Sequence, residues 1–72
     1  GDIPGALETA EAMLAFSPGT IELMRETAIM HTRLENIGQA IRGFERYLAA
    51  EPDEALRHKA TKLLQELKLR LN

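Results

Sequence analysis

The sequence predicts an all-α fold, an antiparallel array of four helices in one domain. Three observations predict it. Apolar residues recur at the three- and four-residue spacing of a helix face along nearly the whole chain, with almost no two-residue alternation of a half-buried strand. Short breaks interrupt that pattern, two of them containing proline, and residues able to cap a helix follow or end them. The length of 72 residues, 44% of them hydrophobic and 28% charged, allows one compact core but neither a second domain nor a deep walled cleft.

In the first segment Asp2 is placed to cap, and Pro4 sits in the first turn, where its missing N–H costs nothing. Ile3, Ala6, Leu7, Ala10, Met13 and Leu14 then repeat at helical spacing until Ser17-Pro18-Gly19 breaks the helix. Thr20 can cap a second helix carrying Ile21, Leu23, Met24, Ala28, Met30 and Leu34. That apolar surface is wider than one stripe and predicts a central helix with neighbours on two sides. Asn36, with Gln39 three residues later, is a capping-box variant opening a third helix with Ile37, Ala40, Ile41, Phe44, Tyr47 and Leu48 on its inner face. Glu51-Pro52 ends it. Asp53 can cap the last helix, whose inward stripe is Leu56, Ala60, Leu63, Leu64, Leu67 and Leu71. Connections this short favour antiparallel neighbours. The positions expected to be buried are Ala6, Leu14, Met24, Ala28, Ala40, Phe44, Leu48, Leu63 and Leu67.

Sliding the chain along itself by about 34 residues lays the first helix and its break on the third. Ile3 falls on Ile37, Ala6 on Ala40, Glu11 on Glu45, Leu14 on Leu48, Ala15 on Ala49 and Pro18 on Pro52. Spacing of leucines alone would not supply the proline and the small alanine at matched places. With Ala40 early in the third helix, Phe44 four residues on and Pro52 closing the unit, the rhythm resembles the tetratricopeptide repeat (TPR). The pattern's large aromatic, leucine, glycine and tyrosine positions in the unit's first helix are here Met24, Thr27, Ala28 and His31. The resemblance implies about one and a half repeats plus a C-terminal capping helix. Residues 1–18 would be the second helix of a half repeat, 19–52 a full repeat and 53–72 the cap. The chain also resembles the C-terminal helical region of bacterial transglutaminase-like proteins, around Ala28 to Leu34, Ala40 to Leu48 and Leu63 to Asn72. Because it opens at Gly1 directly on a helix-start signal, it is expected to be a piece of a longer protein. In that case the family's cysteine, histidine and aspartate would lie upstream, since none can be assigned here.

Composition narrows the function. The net charge is −2, with nine basic and eleven acidic residues, and no recognition-helix motif or aromatic-rich basic platform is present, so no nucleic-acid partner is expected. The acidic residues Asp2, Glu8, Glu11, Glu22, Glu26 and Glu35 dominate the first half, and Arg42, Arg46, Arg57, Lys59, Lys62, Lys68 and Arg70 the second. No apolar run approaches the roughly 20 residues that span a bilayer, and the expectation is a cytoplasmic protein with no membrane partner. Cysteine is absent, which excludes thiolate ligands and thiol nucleophiles.

The inventory for catalysis is thin. His31 and His58 are 27 residues apart without a recognised metal-binding motif, so neither a metal nor a cofactor is expected. Ser17 precedes Pro18 in a turn and lacks the setting of an activated nucleophile. Glu8 with Glu11, and Glu22 with Glu26, share helix faces as an acid–base pair would tolerate, but ordinary exposed helices show the same spacing. The chain is not expected to be an enzyme.

Binding is the better expectation, because stacked helix pairs curve around an inner groove lined by the first helix of each pair. The resemblance turns Glu22, Arg25, Ile29, Thr32 and Arg33 toward that groove, and His58, Thr61, Gln65 and Lys68 join them if the last helix contributes with a two-residue shift. The partner would be a protein or peptide. Self-association, or packing in cis on an upstream domain, would instead use the first helix, where Leu7, Met13 and Phe16 lack the partner helix a whole unit would supply.

Overall fold

The computed structural model describes residues 2–71. Four helices follow one another: α1 (Ile3–Phe16), α2 (Ile21–Arg33), α3 (Ile37–Ala50) and α4 (Glu54–Arg70). Two of the four expected caps form as the sequence predicts. The Asp2 carboxylate accepts from the Gly5 amide at 3.1 Å, and that of Asp53 accepts from the Leu56 amide at 2.9 Å, each satisfying an N–H with no partner inside its helix. Thr20 and Asn36 occupy the N-cap positions of α2 and α3 but make no side-chain cap bond. Asn36 is diverted: its amide Nδ2 donates to Nδ1 of His31 at 3.2 Å, so the expected capping box does not form.

α2 stops abruptly for a backbone reason. Glu35 adopts a left-handed φ of 62°, its amide returns to the Thr32 carbonyl, and the Asn36 amide reaches back to that of His31 at 2.9 Å. This is the paired 5→2 and 6→1 closure of a Schellman motif, with glutamate where glycine is usual. Leu34, expected on the apolar face of α2, is therefore its C-cap.

Among the described residues the close backbone approaches are between helices adjacent in sequence, and α2 against α3 is the most extensive pair. Both middle helices are therefore central, not α2 alone. Connections of three or four residues make successive helices antiparallel and sort them into two layers, α1 with α3 and α2 with α4. The molecule measures 27 × 27 × 18 Å, about two helix diameters of ~10 Å through its thin direction.

The core joins Leu14 of α1, Met24 and Ala28 of α2, Ala40, Ile41, Phe44 and Tyr47 of α3, and Ala60, Leu64 and Leu67 of α4. Three expected core positions are not buried. Leu63 is 43% exposed because Ala60, Leu64 and Leu67 form the i, i+4, i+7 stripe that meets α3, and a residue adjacent to Leu64 is turned about 100° away from it. Ala6 is exposed because α1 has a neighbour on one side only, met by Leu7, Ala10 and Leu14. Leu48, in the last turn of α3, is half-buried. Leu7 departs in the other direction: expected to be partly open, it is buried.

The four positions at which the repeat pattern carries unusual residues, Met24, Thr27, Ala28 and His31, are the four buried residues of α2. Their register is right although their chemistry differs. Thr27 satisfies its hydroxyl on the carbonyls of Leu23 and Met24, at 2.8 and 3.0 Å. Ala28 is fully buried where α2 approaches α3 at Gly43, and a Cβ built on Gly43 would stand 3.0 Å from that of Ala28. The small residue that permits close approach has been supplied from α3.

Candidate functional site

The spacing of α2 and α4 leaves a groove of about 220 Å³ between those two helices, floored by Phe44 of α3. Ile29, Thr32 and Arg33 line it from α2, and Leu63, Glu66, Leu67 and Arg70 from α4. Its centre is apolar. The Thr32 hydroxyl is committed to the Ala28 carbonyl at 2.9 Å, which leaves its methyl as the free part of the side chain. The rim is charged, with Arg33 and Glu66 exposed and Arg70 paired with Glu35 across the end of α2. Such an arrangement can hold an apolar side chain and orient it by charge.

Of the residues expected on this face, the structure brings Ile29, Thr32 and Arg33 into the groove. Glu22 is exposed two turns earlier on α2, and Arg25, half-buried, stands beside Tyr47. On α4 the lining is different from the one expected. His58 and Thr61 border a shallow depression with Glu54, Ala55 and Arg57, Lys68 pairs with Glu45 of α3 at 3.5 Å, and Gln65 is exposed outside the groove. A two-residue shift turns a helix face by about 200°, whereas the unshifted 34-residue period carries Ile29 onto Leu63 and Thr32 onto Glu66. Leu63, Leu67 and Phe44 were read in the sequence as core alone, and hydrophobicity by itself does not distinguish a core residue from a groove floor.

Two polar networks hold the layers in place. His31 is buried, and with its Nδ1 accepting from Asn36, its Nε2–H donates to the Glu11 carboxylate at 3.2 Å, tying α2 to α1. At the α3–α4 corner the Tyr47 hydroxyl donates to Oε1 of Glu51 at 2.7 Å, and the Asp53 amide donates to its Oε2 at 3.2 Å. Arg57 closes that corner by donating to the carbonyls of Leu48 and Glu51. Burial pushes the Tyr47 hydroxyl above its ordinary pKa of 10.0; the Glu51 carboxylate adds to this, and the neighbouring Arg25 guanidinium opposes it. Glu51 is 8% exposed, a buried carboxylate that sequence reading treated as a helix end. Among the described residues no buried side-chain nitrogen or oxygen lacks a partner, and no three metal-ligating side chains converge.

A family model described as tetratricopeptide repeat matches residues 1–65. The chain belongs to the tetratricopeptide repeat family. The match runs from α1 into α4 and agrees with the helical array and with the burial of the pattern positions in α2. Members of this family serve in general as protein-interaction modules. A comparison with curated proteins found no match, and neither did one with solved structures. No helix among the described residues is long and apolar enough to cross a membrane.

Proposed function

We propose that this TPR chain is a non-catalytic protein-interaction module that receives a segment of another protein in the α2/α4 groove. The observation that carries the reading is the apolar strip of Ile29, Phe44, Leu63 and Leu67 left between two helices of one layer and rimmed by Arg33, Glu66 and Arg70. An apolar anchor surrounded by charge is the form in which interfaces concentrate binding energy. Glu22 and Arg25 extend the surface along α2 toward the N-terminus of that helix. The test is selection of binders from a random peptide library displayed on phage, followed by affinity measurements on Leu63→Asp and Arg33→Glu. Loss of binding in both supports the groove; full retention in both refutes it.

A second reading, docking in cis or self-association, is favoured by one observation. α3 packs on two helices, α1 on one. Ala40, Phe44 and Tyr47 on α3 are buried, while of their counterparts one repeat earlier Ala6 and Met13 are exposed and, with the buried Ala10, border an open depression of about 690 Å³ with Leu23 and Met30 of α2. Met13 is 54% exposed and Phe16 94%. A helix like α2 would complete this face, supplied by an upstream domain, such as the transglutaminase-like domain that the sequence resemblance implies, or by another copy. Light scattering across a concentration series, on the chain and on Met13→Asp/Phe16→Asp, checks for the second copy. A concentration-dependent mass that the double substitution abolishes is the outcome this reading requires.

A further inference from the structure

The layer opposite the α2/α4 groove holds a second groove, of about 360 Å³, between α1 and α3. Arg42 and Arg46 line it from α3 with Gln39 on the same face, and Glu11 and His31 border it from α1 and α2. Neither arginine has a carboxylate at ion-pair distance among the described residues; Arg46 only donates to the Pro18 carbonyl at 3.3 Å. Gly43, between them, contributes no side chain and leaves the floor clear.

We propose that this groove binds an extended acidic peptide segment whose carboxylates alternate along the chain. The spacing argues for it. Residues four apart on a helix are separated by about 6 Å of rise, and alternate residues of an extended chain, which point the same way, by about 6.6 Å. Two side-chain carboxylates at positions i and i+2 therefore meet Arg42 and Arg46 in register, each offered a planar fork of donors. Gln39, one turn earlier, can both donate to and accept from the peptide backbone. Glu11 on the facing wall disfavours a ligand that is negative along its whole length and so selects against adjacent acidic residues. The site is separate from the α2/α4 groove, and its test does not depend on that reading.

The experiment is fluorescence anisotropy with two labelled peptides of one composition, one with glutamates at alternate positions among threonine and valine, the other with the glutamates adjacent. The alternating peptide is expected to bind at least about tenfold more tightly. Arg42→Gln/Arg46→Gln removes that binding while the chain stays folded, since both side chains are exposed and the variant gives up only the exposed bond from Arg46 to the Pro18 carbonyl. Leu63→Asp leaves it unchanged. Equal affinity for the two peptides, no binding of either, or survival of binding in the arginine double variant overturns the proposal.

Discussion

Tyr47 and Glu51 show how much a single buried pair decides at the scale of the residue. The hydroxyl is almost wholly enclosed, and its bond to Glu51 satisfies both groups at the corner where the chain turns from α3 into α4. Glu51→Ala leaves a buried donor without an acceptor and is expected to cost about 1 to 3 kcal/mol in denaturant unfolding, whereas Glu51→Gln retains an acceptor and costs less. The same pair gives a pH dependence. The folded-state pKa of Tyr47 lies above its ordinary 10.0, so the unfolded chain releases this proton first as pH rises. The stability the neutral hydroxyl contributes is therefore complete below about pH 10 and is lost as pH climbs toward the folded pKa. Melting temperature should fall more steeply above pH 10 in the native chain than in Tyr47→Phe. Glu35 gives the opposite kind of prediction. Its left-handed φ is an unfavourable conformation for a side chain with a Cβ, and Glu35→Gly should stabilise by up to about 1 kcal/mol, less whatever the exposed pair with Arg70 contributes.

Among the elements, α2 and α3 carry the fold. Phe44 is 2% exposed and floors the groove while filling the core, and Phe44→Ala should cost about 3 to 5 kcal/mol in thermal or denaturant unfolding. The two glycines of α3, Gly38 in its first turn and Gly43 at its middle, should separate cleanly. At Gly38 a Cβ meets only the flexible end of Arg42, at 3.8 Å, so Gly38→Ala gains helix propensity of up to about 1 kcal/mol. At Gly43 the added atoms meet the backbone of Ala28, and Gly43→Val is expected to destabilise by about 1 to 3 kcal/mol. All four helices were legible in the sequence because apolar periodicity, Asp2, Asp53 and the prolines mark them locally. The pattern positions of α2 were legible too, down to buried His31. What the sequence did not disclose depends on partners elsewhere: Asn36 leaves its cap for His31, Glu51 finds Tyr47, and Leu63 loses the core to Leu64 by one position of helix phase. The α4 lining of this groove differs from the expected set for the same kind of reason, since a two-residue shift along a helix selects another face.

For the molecule as a whole, the two-layer arrangement leaves each layer with a groove between its two helices, and leaves α1 with one uncovered side. These surfaces differ in chemistry. The α2/α4 groove has an apolar floor and a charged rim, the α1/α3 groove has two arginines without carboxylate partners among the described residues, and the α1/α2 side exposes Met13 near the open Phe16 ring. Membership in the tetratricopeptide repeat family explains why a chain this small presents so much usable surface: each repeat buries only what its neighbours cover. The measurement that tests the central claim most directly is an amide chemical-shift titration of the isotope-labelled chain with a library-selected peptide. Saturable shifts concentrated at Ile29–Arg33 and Leu63–Arg70, and their loss in Leu63→Asp, are the expected result. Shifts confined to α1, or a peptide that binds Leu63→Asp as well as the native chain, would contradict it.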